Sequence, residues 1–74
     1  MLRSRQSAYV VILQTERGYR TSSPMNNRRK SIGLAKKHPG SEVWGIERDW
    51  FRTGGSFGWD VATLKVCGEC VYGR

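Results

Sequence analysis

Residues 23–38 read SPMNNRRKSIGLAKKH, and both ends of a helix are written into that stretch. Ser23 can cap the free amides of a first turn, and Pro24 suits the first helical position because its missing N–H had no intrahelical partner. At the far end Pro39 pushes His38 out of the helical region, and Gly40 can take the left-handed turn that leads the chain away. At about 100° per residue, Ser31, Ile32, Leu34 and Ala35 share one arc with Met25 and Arg28 at its edge, while Arg29, Lys30, Lys36 and Lys37 share the opposite arc around Gly33. The pattern predicts a helix with a modest core face and a cationic outer face.

Such a helix needs something to cover. Upstream, residues 8–13, AYVVIL, form a continuous apolar run rich in β-branched residues and too short for a typical helix; it reads as a central strand covered on both faces or nearly so. Thr15-Glu16-Arg17-Gly18 supplies a tight turn with glycine at the positive-φ position, and residues 19–22 form a second, more polar strand. A hairpin alone cannot bury its apolar face, so the following helix is its cover. Downstream, residues 41–51, SEVWGIERDWF, alternate like a strand, with Trp44, Ile46, Arg48 and Trp50 on one side and Val43, Gly45, Glu47, Asp49 and Phe51 on the other. A glycine turn, residues 52–56, leads to residues 57–66, FGWDVATLKV, read as a fourth strand with Phe57, Trp59 and Val61 on one face. The tail from Cys67 fits a short edge strand entered through a Gly68-Glu69 turn. The expected fold is α+β, a small antiparallel sheet with one helix packed on one face in the order ββαββ, with Trp44 and Trp59 under the helix. Residues 1–7 are a flexible basic arm and residues 8–74 a single domain.

Seventy-four residues leave no room for a large core or deep pocket. The net charge of +7 is unevenly spread: residues 1–37 carry +8, with nine Lys/Arg against Glu16 alone, and residues 38–74 carry −1. A field concentrated on one half favours a polyanionic partner. No apolar run approaches the 18 or so residues of a membrane span, and the N-terminus lacks the apolar core of a signal peptide, so the expectation is a cytoplasmic protein without membrane contact.

Chemistry-bearing groups are few. Cys67-Gly-Glu-Cys70 has half the spacing of a zinc site, but His38 is the only further soft ligand, so a closed site would need a carboxylate or a second subunit. The residues after Cys70 give no helix to activate a redox thiol. Two free thiols flanking a turn is the reading, with no metal and no cofactor. His38 sits in cationic surroundings at a helix end, Glu47 and Asp49 fit the wet side of a strand, and no nucleophile elbow or phosphate loop is present. The chain is not expected to be an enzyme. Trp50 and Phe51, on opposite faces of a strand, cannot both lie under one helix; one is expected to be exposed, beside Arg48 and Arg52, as a stacking platform or a protein contact.

The order of parts, from the strand led by Ala8-Tyr9 through RKSIGLAKKH at residues 29–38 to EVWGIERDWF at residues 42–51, resembles small phage proteins that disable host machinery. It is most similar to anti-CRISPR proteins directed at type I surveillance complexes, and the phage inhibitor of bacterial RNA polymerase shares the strand, strand, helix, strand order. The resemblance implies a non-enzymatic inhibitor, monomeric or homodimeric, that binds a host protein or nucleoprotein complex and blocks or misdirects nucleic-acid binding. The residues expected to bind are Arg17, Arg20, Arg28, Arg29, Lys30, Lys36, Lys37, Arg48, Trp50, Phe51 and Arg52. The alternative is direct DNA or RNA binding, with the same cations on phosphates and Arg3 and Arg5 reaching into a groove. No helix and turn precede the basic helix, so it is not a helix-turn-helix reader.

Overall fold

The computed structural model describes residues 7–53 and 60–73. Strands β1 (Ala8–Thr15), β2 (Gly18–Thr21), β3 (Glu42–Ile46) and β4 (Glu69–Tyr72) form one antiparallel sheet in the order β2-β1-β3-β4. Helix α1 (Arg28–Lys36) connects β2 to β3, and α2 (Asp49–Thr53) and α3 (Val61–Cys67) lie between β3 and β4. This is a small α+β fold, as expected. It has three helices among the described residues, however, and they cover both faces of the sheet. The arm with Arg3 and Arg5, the glycines of residues 54–55, Phe57 and Trp59 lie outside the described residues.

β1 sits in the middle, and its continuous apolar run is buried on both sides, with Val10 and Val11 both fully inaccessible. On one face Tyr9, Val11 and Val43 pack with Ala35 of α1, flanked by Ile32 and Leu34. On the other, Val10, Ile12, Trp44 and Ile46 pack with Leu64 of α3, flanked by Trp50 and Phe51 of α2. Trp44 therefore lies on the face opposite α1, not beneath it. The hairpin is as expected: Leu13 pairs with Arg20, Thr15 with Gly18, and Gly18 takes φ +128°.

The basic helix starts later than residues 23–38 suggest. After β2 the chain stays extended beside β1: the Ser22 N–H donates to Val11 O, and Tyr9 and Met25 exchange both backbone bonds at 2.8 Å. Pairing to an already buried strand outweighs the local start signal at Ser23-Pro24. Asn27 caps instead, its Oδ1 accepting from Lys30 N at 3.0 Å. The expected stop holds, with the last turn ending at Lys37 and Gly40 at φ +87°.

The downstream half departs further from the ββαββ expectation. β3 ends at Ile46, where Ile46 O accepts from Ser7 N and Ser7 Oγ accepts from Arg48 N. The next amides turn inward, Trp50 N to Glu47 O and Phe51 N to Arg48 O, opening α2. Residues 61–66 are helical, not the end of a strand. Asp60 is the reason: its Oδ1 accepts from Thr63 N at 2.8 Å while Thr63 Oγ1 accepts from Asp60 N, a reciprocal cap that offsets the β-branched Val61 and Val66. The tail strand forms, but Gly68 does not make a hairpin turn. It ends α3, donating to Leu64 O, with backbone oxygens of Gly45 and Leu64 2.9 and 3.0 Å from where a Cβ would sit. β4 then pairs with β3, Cys70 opposite Trp44.

The helical reading of residues 61–67 has a test. A strand would point Leu64 and Val66 the same way, whereas the helix buries Leu64 fully and leaves Val66 83% exposed. Leu64→Ala is expected to cost about 2–5 kcal/mol in urea unfolding and Val66→Ala less than about 0.5 kcal/mol. Equal costs would contradict α3.

Candidate nucleic-acid interface

The core side of α1 is small: Ser31 and Ala35 are buried, and Ser31 Oγ donates to Asn27 O at 2.9 Å, so its hydroxyl is satisfied within the helix. The outer side carries Arg28, Arg29, Lys30, Lys36 and, just past the last turn, Lys37, all exposed. Among the described residues none of these five is in an ion pair. No acid occurs between Glu16 and Glu42, so α1 and the segments on either side of it have no carboxylate of their own. Arg28, Arg29, Ile32, Gly33 and Lys36 line a shallow groove along this surface.

Three of the cations stand in the first turn, where the partial positive charge of the helix end repels them by about 0.3–1 kcal/mol each. Stability alone would favour acids there, and α1 has none in its first turn. The nine-residue helix is thus held by its buried face and its Asn27 cap against its own charges.

The other expected residues divide into two groups. Arg20, paired with Leu13, shares the α1 face of the sheet because Leu13 packs into the cluster under α1, and Arg17 stands at the hairpin tip. Arg20 extends the cationic surface on that face. Arg48, Trp50, Phe51 and Arg52 belong to α2 and the turn before it, against the opposite face. Trp50 and Phe51 are both half-buried and meet edge-to-face at 5.1 Å, so neither is the exposed aromatic that alternation along a strand required. On consecutive positions of a helical turn both rings can lean on the core.

The exposed aromatic among the described residues is one the sequence reading passed over. Tyr19 is 57% exposed on β2, between Arg17 and Arg20. Its signal was present: a lone aromatic in a polar strand at a sheet edge. On the opposite face Lys65 is occupied, 3.5 Å from Glu42 Oε1 and 5.7 Å from the Trp44 ring centre, while Trp44 Nε1 donates to the same Glu42 oxygen at 2.7 Å. That cation serves the fold, in contrast to those on α1.

Among the described residues, groups suited to catalysis or metal binding do not converge. Cys67 and Cys70 are free thiols, Cys70 Sγ donating to Tyr72 O, and among the described residues no three His, Cys, Asp or Glu side chains gather. His38 is exposed beyond α1. Donation from the Thr63 amide, then from the Thr63 hydroxyl, holds the Asp60 carboxyl below the usual 3.8. No helix among the described residues is long and apolar enough to cross a membrane. No protein-family model, curated protein or solved structure matches this chain.

Two expectations follow from these charges. Arg29→Glu replaces repulsion at the α1 N-terminus with attraction and is expected to stabilise the fold by about 0.5–1 kcal/mol in thermal or urea unfolding; destabilisation would mean that Arg29 holds the fold together. Asp60 is lower in the folded than in the unfolded state, so its contribution is complete above the ordinary carboxylate value and fades as pH falls through the lowered one. Asp60→Ala should therefore lose stability near neutral pH and show a shallower decline below about pH 4 than the wild type; parallel profiles would contradict the cap.

Proposed function

We propose that this protein is a non-enzymatic nucleic-acid-binding protein that grips the phosphodiester backbone with the outer face of α1. The observation that carries this reading is the set of five exposed cations, four on α1 and Lys37 at its end, unpaired among the described residues and placed in part against the helix dipole. Arg20 widens the surface on the same face of the sheet, and Arg17 adds a cation at the hairpin tip. Arginine forks and lysine point charges both suit phosphate, and phosphate contacts bind without reading sequence.

A second reading keeps the likeness to phage inhibitors of host machinery. Half-buried Trp50 borders a concavity of about 130 Å³ with Gly45, Ile46, Glu47, Cys67 and Gly68, on the side where Arg48 and Arg52 are exposed. Trp and Arg are the residues enriched at protein–protein hot spots. In this reading α1 takes the nucleic acid or an acidic surface of a type I surveillance complex, in the host cytoplasm, while the α2 side contacts its protein.

The deciding experiment is fluorescence anisotropy with single- and double-stranded DNA and with RNA, from about 50 to 200 mM salt. Five phosphate contacts on duplex correspond to a loss of about 500-fold over that range. Arg29→Glu with Lys30→Glu is expected to abolish binding while circular dichroism stays that of the wild type. Binding of free nucleic acid that is weak at 50 mM, together with tight binding to the assembled complex that Trp50→Ala weakens, would favour the inhibitor.

A further inference from the structure

The centre of the cationic face is a glycine. Gly33 lies in the middle of α1, exposed, and a Cβ placed on it would meet nothing within 4 Å among the described residues. Its backbone is ordinary helix, not the left-handed conformation that glycine alone takes readily. Among the described residues neither packing nor geometry accounts for it. Yet glycine is the poorest helix former after proline, in a helix of only nine residues.

Its surroundings give it a use. On a helix surface the neighbours of a residue are those three and four positions away. For Gly33 these are Arg29 and Lys30 on one side and Lys36 and Lys37 on the other, so all four are basic. The two pairs are seven residues apart, about 10.5 Å along the axis, and their long side chains can fold inward over the gap between them. The shallow groove lined by Arg28, Arg29, Ile32 and Lys36 reaches Gly33 as well.

We infer that Gly33 is the seat of a backbone phosphodiester: the absent Cβ lets one phosphate approach the helix barrel while Arg29, Lys30, Lys36 and Lys37 close on it from both turns. The inference rests on the nucleic-acid reading and deepens it, because it sets the pose. The nucleic acid crosses α1 at its middle, with the guanidinium of Arg29 as the one planar fork and three ammonium groups as point charges. A helix lying this way touches phosphates and not base edges, so binding is indifferent to sequence.

The test separates charge from shape. Gly33→Ala and Gly33→Leu leave every charge in place, and the open space around the site admits both side chains. Both variants are expected to melt at a higher temperature than the wild type. They should nevertheless bind a generic 20-base-pair duplex more weakly at 50 mM salt, Ala several-fold and Leu tenfold or more, with the loss the same on duplexes of unrelated sequence. Wild-type affinity in Gly33→Leu overturns the inference and leaves the nucleic-acid reading standing. A wild-type chain that fails to bind overturns both. Polyglutamate that displaces the duplex from the wild type as well as unlabelled duplex does would overturn the phosphate assignment.

Discussion

Burial of β1 on both faces is the constraint from which the rest of the architecture follows. Val10 and Val11 are adjacent, point to opposite sides and are both completely inaccessible. Each needs a cover of its own, and so short a chain can supply two only by dividing its helices between the faces. α1 takes the side of Tyr9, Val11 and Val43, and α2 with α3 takes the side of Val10, Ile12 and Trp44. The same demand keeps β1 central: β2 and β3 flank it, and β4 is added beyond β3.

The division of labour between the helical layers is also one of charge. On the α3 side, Glu42, Trp44 and Lys65 meet in one cluster, so a cation and a carboxylate are used against each other and against a ring. On the α1 side nothing comparable occurs among the described residues. The cations there are brought close by helix geometry, and a first turn crowded with positive charge opposes the dipole. That face is maintained against its own electrostatics by the buried side of α1 and the Asn27 cap.

Much of the surface was legible because it depends on local periodicity. The 3.6-residue repeat placed Ser31, Ile32, Leu34 and Ala35 inward and Arg29, Lys30, Lys36 and Lys37 outward, and the structure agrees. The aromatic element was not legible in the same way. Alternation in ERDWF fits a strand, and only the turn at Glu47 and Arg48, held in part by Ser7 Oγ forty-one residues away in the chain, makes Trp50 and Phe51 neighbours on one helical turn. Likewise VATLKV has a strand's composition, and the Asp60–Thr63 cap outweighs it because each of those residues satisfies an amide that would otherwise be unpaired.

By itself, then, the chain determined what is set by neighbours in sequence: the β1–β2 hairpin with Gly18 at its turn, the stop of α1 at Pro39-Gly40, the two faces of that helix and the concentration of positive charge in the first half. Tertiary structure decided what depends on distant partners. It moved the start of α1 from Ser23 to Asn27, because Tyr9 and Met25 satisfy each other's backbone groups. It put Trp44 on the face away from α1 and brought the tail to β3. The physical reason is common to all of these. A buried strand must have every hydrogen bond and both faces satisfied, and segments far along the chain are drawn into whatever conformation completes it.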